Sequence, residues 1–248
     1  MATTLPTASR ARRLRRVGAV LVTLVTGQLV AGGLLVAGLR VPPALAAPVL
    51  LAAISPTVVA ALTLRPRAPG LVTTADLLTM LRLLGAGVLA ATTVLALVGA
   101  VTPRSWLLVV LIGATLATDA VDGPIARRSR TAGPVGARID MEADAAVVLV
   151  LSVLAASIVG PWALAIGVMR YAYVAASRIR PALRRPLPYS LVRRVIGATQ
   201  GVALLTTVVP VIPVPAAGVI VSAALALLAF SFGRDVIDQE RAEARGEE

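Results

Sequence analysis

Residues 119–144 read DAVDGPIARRSRTAGPVGARIDMEAD, and this stretch decides how the rest of the chain is understood. It holds two pairs of aspartates, Asp119 with Asp122 and Asp140 with Asp144, each pair spaced so that its members share one face of a helix. Gly133 and Pro134 break the stretch in the middle, which predicts two helices joined by a turn. An antiparallel hairpin of this kind points all four carboxylates into one cleft. Asp119 and Asp122 share their face with Ala126, and Asp140 and Asp144 share theirs with Gly136. Glu142 falls on a different face and reads as a pairing or surface residue.

Outward from this hairpin the chain is apolar on both sides. It has 248 residues, of which 58% are hydrophobic and 15% charged, with a mean hydropathy of +0.89. Water is therefore not its main solvent, and carboxylates so close to apolar runs need a functional reason. Cysteine and histidine are both absent, which removes disulfides, thiolate chemistry and histidine-bound zinc. Catalysis is left to carboxylates, hydroxyls and arginines.

Eight runs approach the length that crosses a bilayer, about 20 residues. They cover 17–39, 44–64, 77–100, 105–126, 139–159, 161–176, 195–210 and 215–232, the sixth and seventh being short. All 24 basic residues are arginine, giving a net charge of +12. With few aromatics between them and apolar spans beside them, they suit anionic lipid head groups, not nucleic acid. Positive charge near helix ends marks the cytoplasmic side. Eight crossings with both termini cytoplasmic put the clusters at 10–16, 65–82, 127–138, 178–194 and 234–245 on that side and leave Arg40 and Arg104 on the other. The first run is too long for a signal peptide and is expected to remain as a helix.

The expected architecture is an all-α integral membrane protein. A basic cytoplasmic arm (1–16) leads into a two-helix transmembrane extension (17–64), and a linker at 65–70 containing Pro66, Pro69 and Gly70 joins it to a six-helix core (71–232). A charged cytoplasmic tail follows (233–248), read from its alternating acids and arginines as a short solvated helix.

Four bare carboxylates in one low-dielectric cleft would repel one another until some protonated. Divalent cations resolve the conflict, and oxygen-only donors favour Mg2+ or Mn2+, two ions balancing four aspartates and leaving positions open for phosphate oxygens. Gly123, Ala126 and Gly136 leave room for a flat ligand against the backbone, and the planar fork of Arg127 suits phosphate.

Asp119, Asp122, Gly123, Ala126, Arg127, Gly136, Asp140 and Asp144, taken together, resemble the complete signature of the CDP-alcohol phosphatidyltransferase family. The resemblance implies a six-helix core over about 71–232 and transfer of a phosphatidyl group from a CDP-lipid such as CDP-diacylglycerol to an alcohol, with release of CMP. It implies Asp119, Asp122 and Asp140 as metal ligands. Asp144 would be the general base and a further contact to metal, and Asp122, Gly123, Ala126, Arg127 and Gly136 would line the CMP and diphosphate pocket. It also suggests a homodimer. Two weaker matches accompany the signature. Asp76, Thr79 and Arg82 occupy the start of the third run, where family members often carry Asn, Thr and Arg, and Asp76 departs from that pattern. The segment opening at Arg193 resembles a basic lead into a late helix.

The arginines from 178 to 194 read either as positive-inside charge or as a pocket for a phosphorylated polyol acceptor, glycerol phosphate or inositol phosphate. Arg170 lies within a run and either faces the cleft or snorkels to the surface. Rival readings are a CDP-alcohol donor with a diacylglycerol acceptor, and a non-enzymatic carboxylate-based transporter or scaffold. Clustering of the acids at one membrane face disfavours a conduction route.

Overall fold

Apolar runs without water partners must satisfy their backbone groups internally, which in a bilayer leaves helices or closed barrels. The computed structural model takes the first solution. It describes residues 7–63, 74–128, 134–184 and 190–245, with backbone alone at 7–17, 20, 60, 62–63, 74–79, 119–128, 134–140 and 184. Among the described residues there is no strand, and eight α-helices follow one another: α1 (Thr7–Gly38), α2 (Pro43–Thr63), α3 (Thr74–Leu97), α4 (Trp106–Arg128), α5 (Pro134–Val159), α6 (Leu164–Ile179), α7 (Leu191–Val208) and α8 (Val214–Ala244). Short 3-10 turns at Pro161–Ala163 and Pro181–Arg184 flank α6.

Among the described residues, four helical segments are long and apolar enough to cross a membrane: Leu21–Gly38, Met80–Leu97, Met141–Val159 and Val214–Ala244. Pro43–Val59 and Trp106–Thr118 are apolar but shorter. The linker expected at 65–70 lies outside the described residues.

Glycine and small side chains set the turns and close approaches. Leu97 ends α3 because Gly99 takes φ +76° and lets the Ala100 N–H reach back 2.8 Å to the Leu95 carbonyl, closing the helix end. Arg40 makes the same left-handed excursion between α1 and α2 without glycine's freedom, at φ 50°, and the following Val41 N–H closes on the Val36 carbonyl at 2.9 Å. Within α2, Pro56 has no N–H for the carbonyl four residues back, that of Ala52. The Ser55 hydroxyl donates to that oxygen at 2.8 Å, so the helix continues.

The chain forms two compact units. The first contains α1 to α3, α4 from Leu111 and α5 as far as Val147. Lipid tails are as apolar as leucine, so helices in a membrane associate through close packing and small residues more than through hydrophobic burial. Here α2 lies along α3 with Val41, Val49, Ala53, Ala91 and Leu95 at the centre. A smaller cluster of Leu24, Leu83 and Ala143, with Met80 against it, joins α1, α3 and α5.

The second unit holds residues 103–110, the rest of α5, and α6 to α8. On α8, Ala217, Val221, Ala224, Leu228, Ser231, Asp235 and Gln239 are all buried, a stripe repeating every three or four residues that turns from apolar to polar without leaving its face. The stretch from Arg234, expected as a short solvated helix, is thus the continuation of α8, with one face inside the protein. Gln200 of α7 donates to the Ala224 carbonyl of α8 at 3.1 Å. Arg104 donates to the Val209 carbonyl at 2.8 Å, placing a cation at the C-terminal end of α7 where the helix dipole favours it.

Candidate active site

The two halves of the 119–144 stretch lie on helical backbone. Asp119, Asp122, Gly123, Ala126 and Arg127 fall in the last turns of α4, and Gly136, Asp140 and Asp144 in the first turns of α5. The intervals of three and four therefore act on the helical register that the reading of a shared face requires. Among these eight positions the side chain of Asp144 alone belongs to the described residues. The turn at Gly133 lies outside them too, while Pro134 opens α5, where its missing N–H costs nothing.

Asp144 is held from α3. Its Oδ1 accepts a hydrogen bond from Nη1 of Arg82 at 2.7 Å. The two sides of this pair differ sharply in exposure, the Arg82 side chain at 1% and that of Asp144 at 42%. A guanidinium so buried needs a counter-charge, which Asp144 supplies, while the carboxylate keeps an accessible side from which to act. The pair spans 62 residues of sequence and fixes the first turns of α5 against the beginning of α3. Of the three weaker candidates at the start of the third run, Arg82 is thus brought to Asp144. Asp76 and Thr79 lie in the first two turns of α3, their side chains outside the described residues.

Arg170 and Arg193 belong to the second unit. Arg193 makes a two-pronged contact with Asp235 of α8, Nε to Oδ2 at 2.8 Å and Nη2 to Oδ1 at 3.1 Å. This fork-to-fork geometry is the strong form of an arginine–carboxylate pair. One turn further along α8, Gln239 accepts through Oε1 from the Tyr173 hydroxyl at 2.6 Å, and the Tyr173 ring meets Phe232 edge to face with centroids 5.4 Å apart. Arg180 pairs with Glu240. Arg170 is half-buried on α6. The role of Asp235 and Gln239 escaped the sequence reading, although their four-residue interval from Ser231 extends the apolar stripe and was there to be found.

Among the described residues no group of three or more metal-ligating side chains occurs. The donor chemistry of the four aspartates nonetheless fits a hard divalent cation, since every donor is a carboxylate oxygen and the chain has neither cysteine nor histidine.

A family model described as CDP-alcohol phosphatidyltransferase matches residues 72–233. The chain belongs to this family. No curated protein and no solved structure gives a significant match to it. Membership makes the protein a phosphotransferase of phospholipid biosynthesis that moves a substituted phosphate group from a CDP-alcohol to an acceptor, and its long apolar helices agree with a place in a membrane. All eight signature positions fall within the CDP-alcohol phosphatidyltransferase match, as does Arg82. Helices α1 and α2 precede it, and Asp235 and Gln239 follow it.

Proposed function

We propose that this protein is a metal-dependent phosphatidyltransferase that takes CDP-diacylglycerol as donor and an alcohol as acceptor at the cytoplasmic leaflet, releasing CMP. The observation that carries the reading is the Arg82–Asp144 pair within a chain of this family: a signature carboxylate, held by a buried cation yet open to approach.

Asp144 takes the proton of the acceptor hydroxyl. The acceptor oxygen then forms a bond to the β-phosphorus, the bond from that phosphorus to the oxygen bridging to CMP breaks, and CMP leaves with the electron pair. Arg82 orients the Asp144 carboxylate so that the proton is taken along one direction. Arg127 grips the diphosphate, and Gly123, Ala126 and Gly136 let the nucleotide lie close to the helices. Asp119, Asp122 and Asp140, with Asp144, would hold Mg2+ or Mn2+, which when bound supplies charge neutralisation at the diphosphate and the leaving CMP.

The arginine-rich segment from 178 to 194 favours a phosphorylated polyol, glycerol phosphate or inositol phosphate, as the acceptor. Two of its arginines, Arg180 and Arg193, face carboxylates of α8. The arginine distribution supports eight crossings, arranged as a two-helix extension and a six-helix core with both termini cytoplasmic. A homodimer is part of the same reading. Purified protein supplied with CDP-diacylglycerol, Mg2+ or Mn2+ and a panel of alcohols is expected to release CMP with one class of acceptor. Release from a CDP-alcohol with diacylglycerol instead would reverse the donor assignment.

A further inference from the structure

Helices α1 and α2 precede the family region, yet α1 is built against the part of α3 that carries Arg82. Gln28 lies in the apolar middle of α1 and is completely buried. A buried amide in such a helix is costly unless it is bonded, and Nε2 of Gln28 donates at 2.8 Å to the main-chain carbonyl of Leu83 on α3. Leu83 directly follows Arg82. Gly87, one turn further along α3, makes the approach possible: a Cβ there would stand 2.6 Å from Gln28 Nε2 and collide with the Ala53 carbonyl of α2.

One turn before Gln28, Leu24 shares one buried cluster with Leu83 and Ala143, and Ala143 directly precedes Asp144. Each member of the Arg82–Asp144 pair therefore has its immediate chain neighbour in the cluster that holds Leu24 of α1, and Leu83 is bonded to α1 directly. Leucine at position 28 would suit an apolar helix better, so the amide calls for a role that apolar packing does not supply.

We propose that Gln28 of α1 is a positioning residue of the transferase site, acting through the Leu83 backbone to fix Arg82 against Asp144. This rests on the assignment of Asp144 to the reaction. Gln28 touches no reacting atom, and its loss lets the pair drift by a fraction of an ångström without opening the donor site.

The test compares Gln28→Met, which keeps length and apolarity but removes the donor, with wild type, Gly32→Ala and Asp144→Asn in the full-length purified protein. Gly32→Ala strains the contact between α1 and α2, its Cβ falling 3.1 Å from a Leu50 methyl, without involving Leu83. Gln28→Met is expected to lower kcat for CMP release by about tenfold, the scale on which small misplacements act, with the donor KM unchanged. Gly32→Ala is expected to shift thermal stability and leave kcat as it is. Because Gln28 acts through Arg82, Gln28→Met combined with Arg82→Lys is expected to be no slower than Arg82→Lys alone. Should Gln28→Met fail to fold, Leu24→Ala loosens the same contact without touching a polar group and carries the same expectation. Wild-type kcat in Gln28→Met beside an inactive Asp144→Asn overturns the positioning role alone, as does an equal loss of kcat in Gly32→Ala. Full turnover in Asp144→Asn overturns the site assignment and the positioning role with it.

Discussion

Arg82 and Asp144 face each other across α3 and α5 at 2.7 Å, with the cation buried and the carboxylate still accessible. This asymmetry suits a carboxylate that must hold one orientation and still receive a proton.

Replacement of Asp144 by Asn keeps an acceptor for Arg82 and removes the base. Turnover is expected to fall by about 10²–10⁴-fold, the usual contribution of a positioned acid or base, with CDP-lipid binding largely retained. Single-turnover CMP release alongside equilibrium donor binding measures both. Unchanged turnover would refute the role.

Arg82→Leu leaves Asp144 without this cation but still ionisable. The expected result is a fall in kcat with a smaller change in donor KM, and Arg82→Lys is expected to recover part of the loss because a point charge replaces the fork imperfectly. Equal kcat in the two variants would argue against orientation by the guanidinium.

Asp119→Asn is expected to weaken both metal binding and turnover, and a chelator to abolish turnover in the wild type until Mg2+ or Mn2+ is restored. Isothermal titration of the metal and the CMP assay report the two effects separately. Chelator-resistant turnover would contradict metal dependence.

The Arg193–Asp235 pair is assigned to the joint between α7 and α8. Asp235 has only 8% of its side chain exposed, so Arg193→Ala leaves a buried carboxylate short of its two-pronged partner. A loss of about 1–3 kcal/mol of stability is expected for either single alanine variant, and less than the sum for the double variant. Thermal unfolding in detergent measures it. A selective rise in acceptor KM with unchanged stability would instead return Arg193 to the acceptor pocket.

Gly167 of α6 lies against α5, where a Cβ would come within 2.7 Å of the Leu149 Cα and strike the Ser152 hydroxyl. Gly167→Ala is expected to cost about 1–3 kcal/mol, the range for overpacking. Gly197→Ala, with open space around its Cβ, is expected to be neutral or to stabilise by up to about 1 kcal/mol. Similar melting temperatures for the two would contradict the close helix contact.

Much of the helical layout was legible because apolar runs alternate with arginine clusters, and the ends of those runs fall within a few residues of helices α2 to α7. The two ends of the chain were less so. Helix α1 begins at Thr7, inside the basic arm, and α8 runs to Ala244, since arginine and glutamate are good helix formers and hydropathy says nothing about where such a helix stops. The signature aspartates could be read from their spacing, because a helix turns intervals of three and four into a shared face. Contacts between distant segments could not. Nothing local to Arg82 names a partner 62 residues away, and Gln28 is one polar residue in an apolar run until the Leu83 carbonyl is seen beside it. Asp235 was hidden for another reason: the alternating charges around it resemble a solvated helix, while only its own face is buried.

The measurement that tests the central claim most directly is CMP release by the detergent-purified full-length protein from CDP-diacylglycerol, with Mg2+ or Mn2+ present or chelated, across a panel of alcohols that includes glycerol phosphate and inositol phosphate. Release that requires both the metal and one alcohol, and that disappears in Asp144→Asn, is the predicted result. Folded protein that binds the CDP-lipid yet releases no CMP with any alcohol, or that turns over equally well with Asn at position 144, would contradict it.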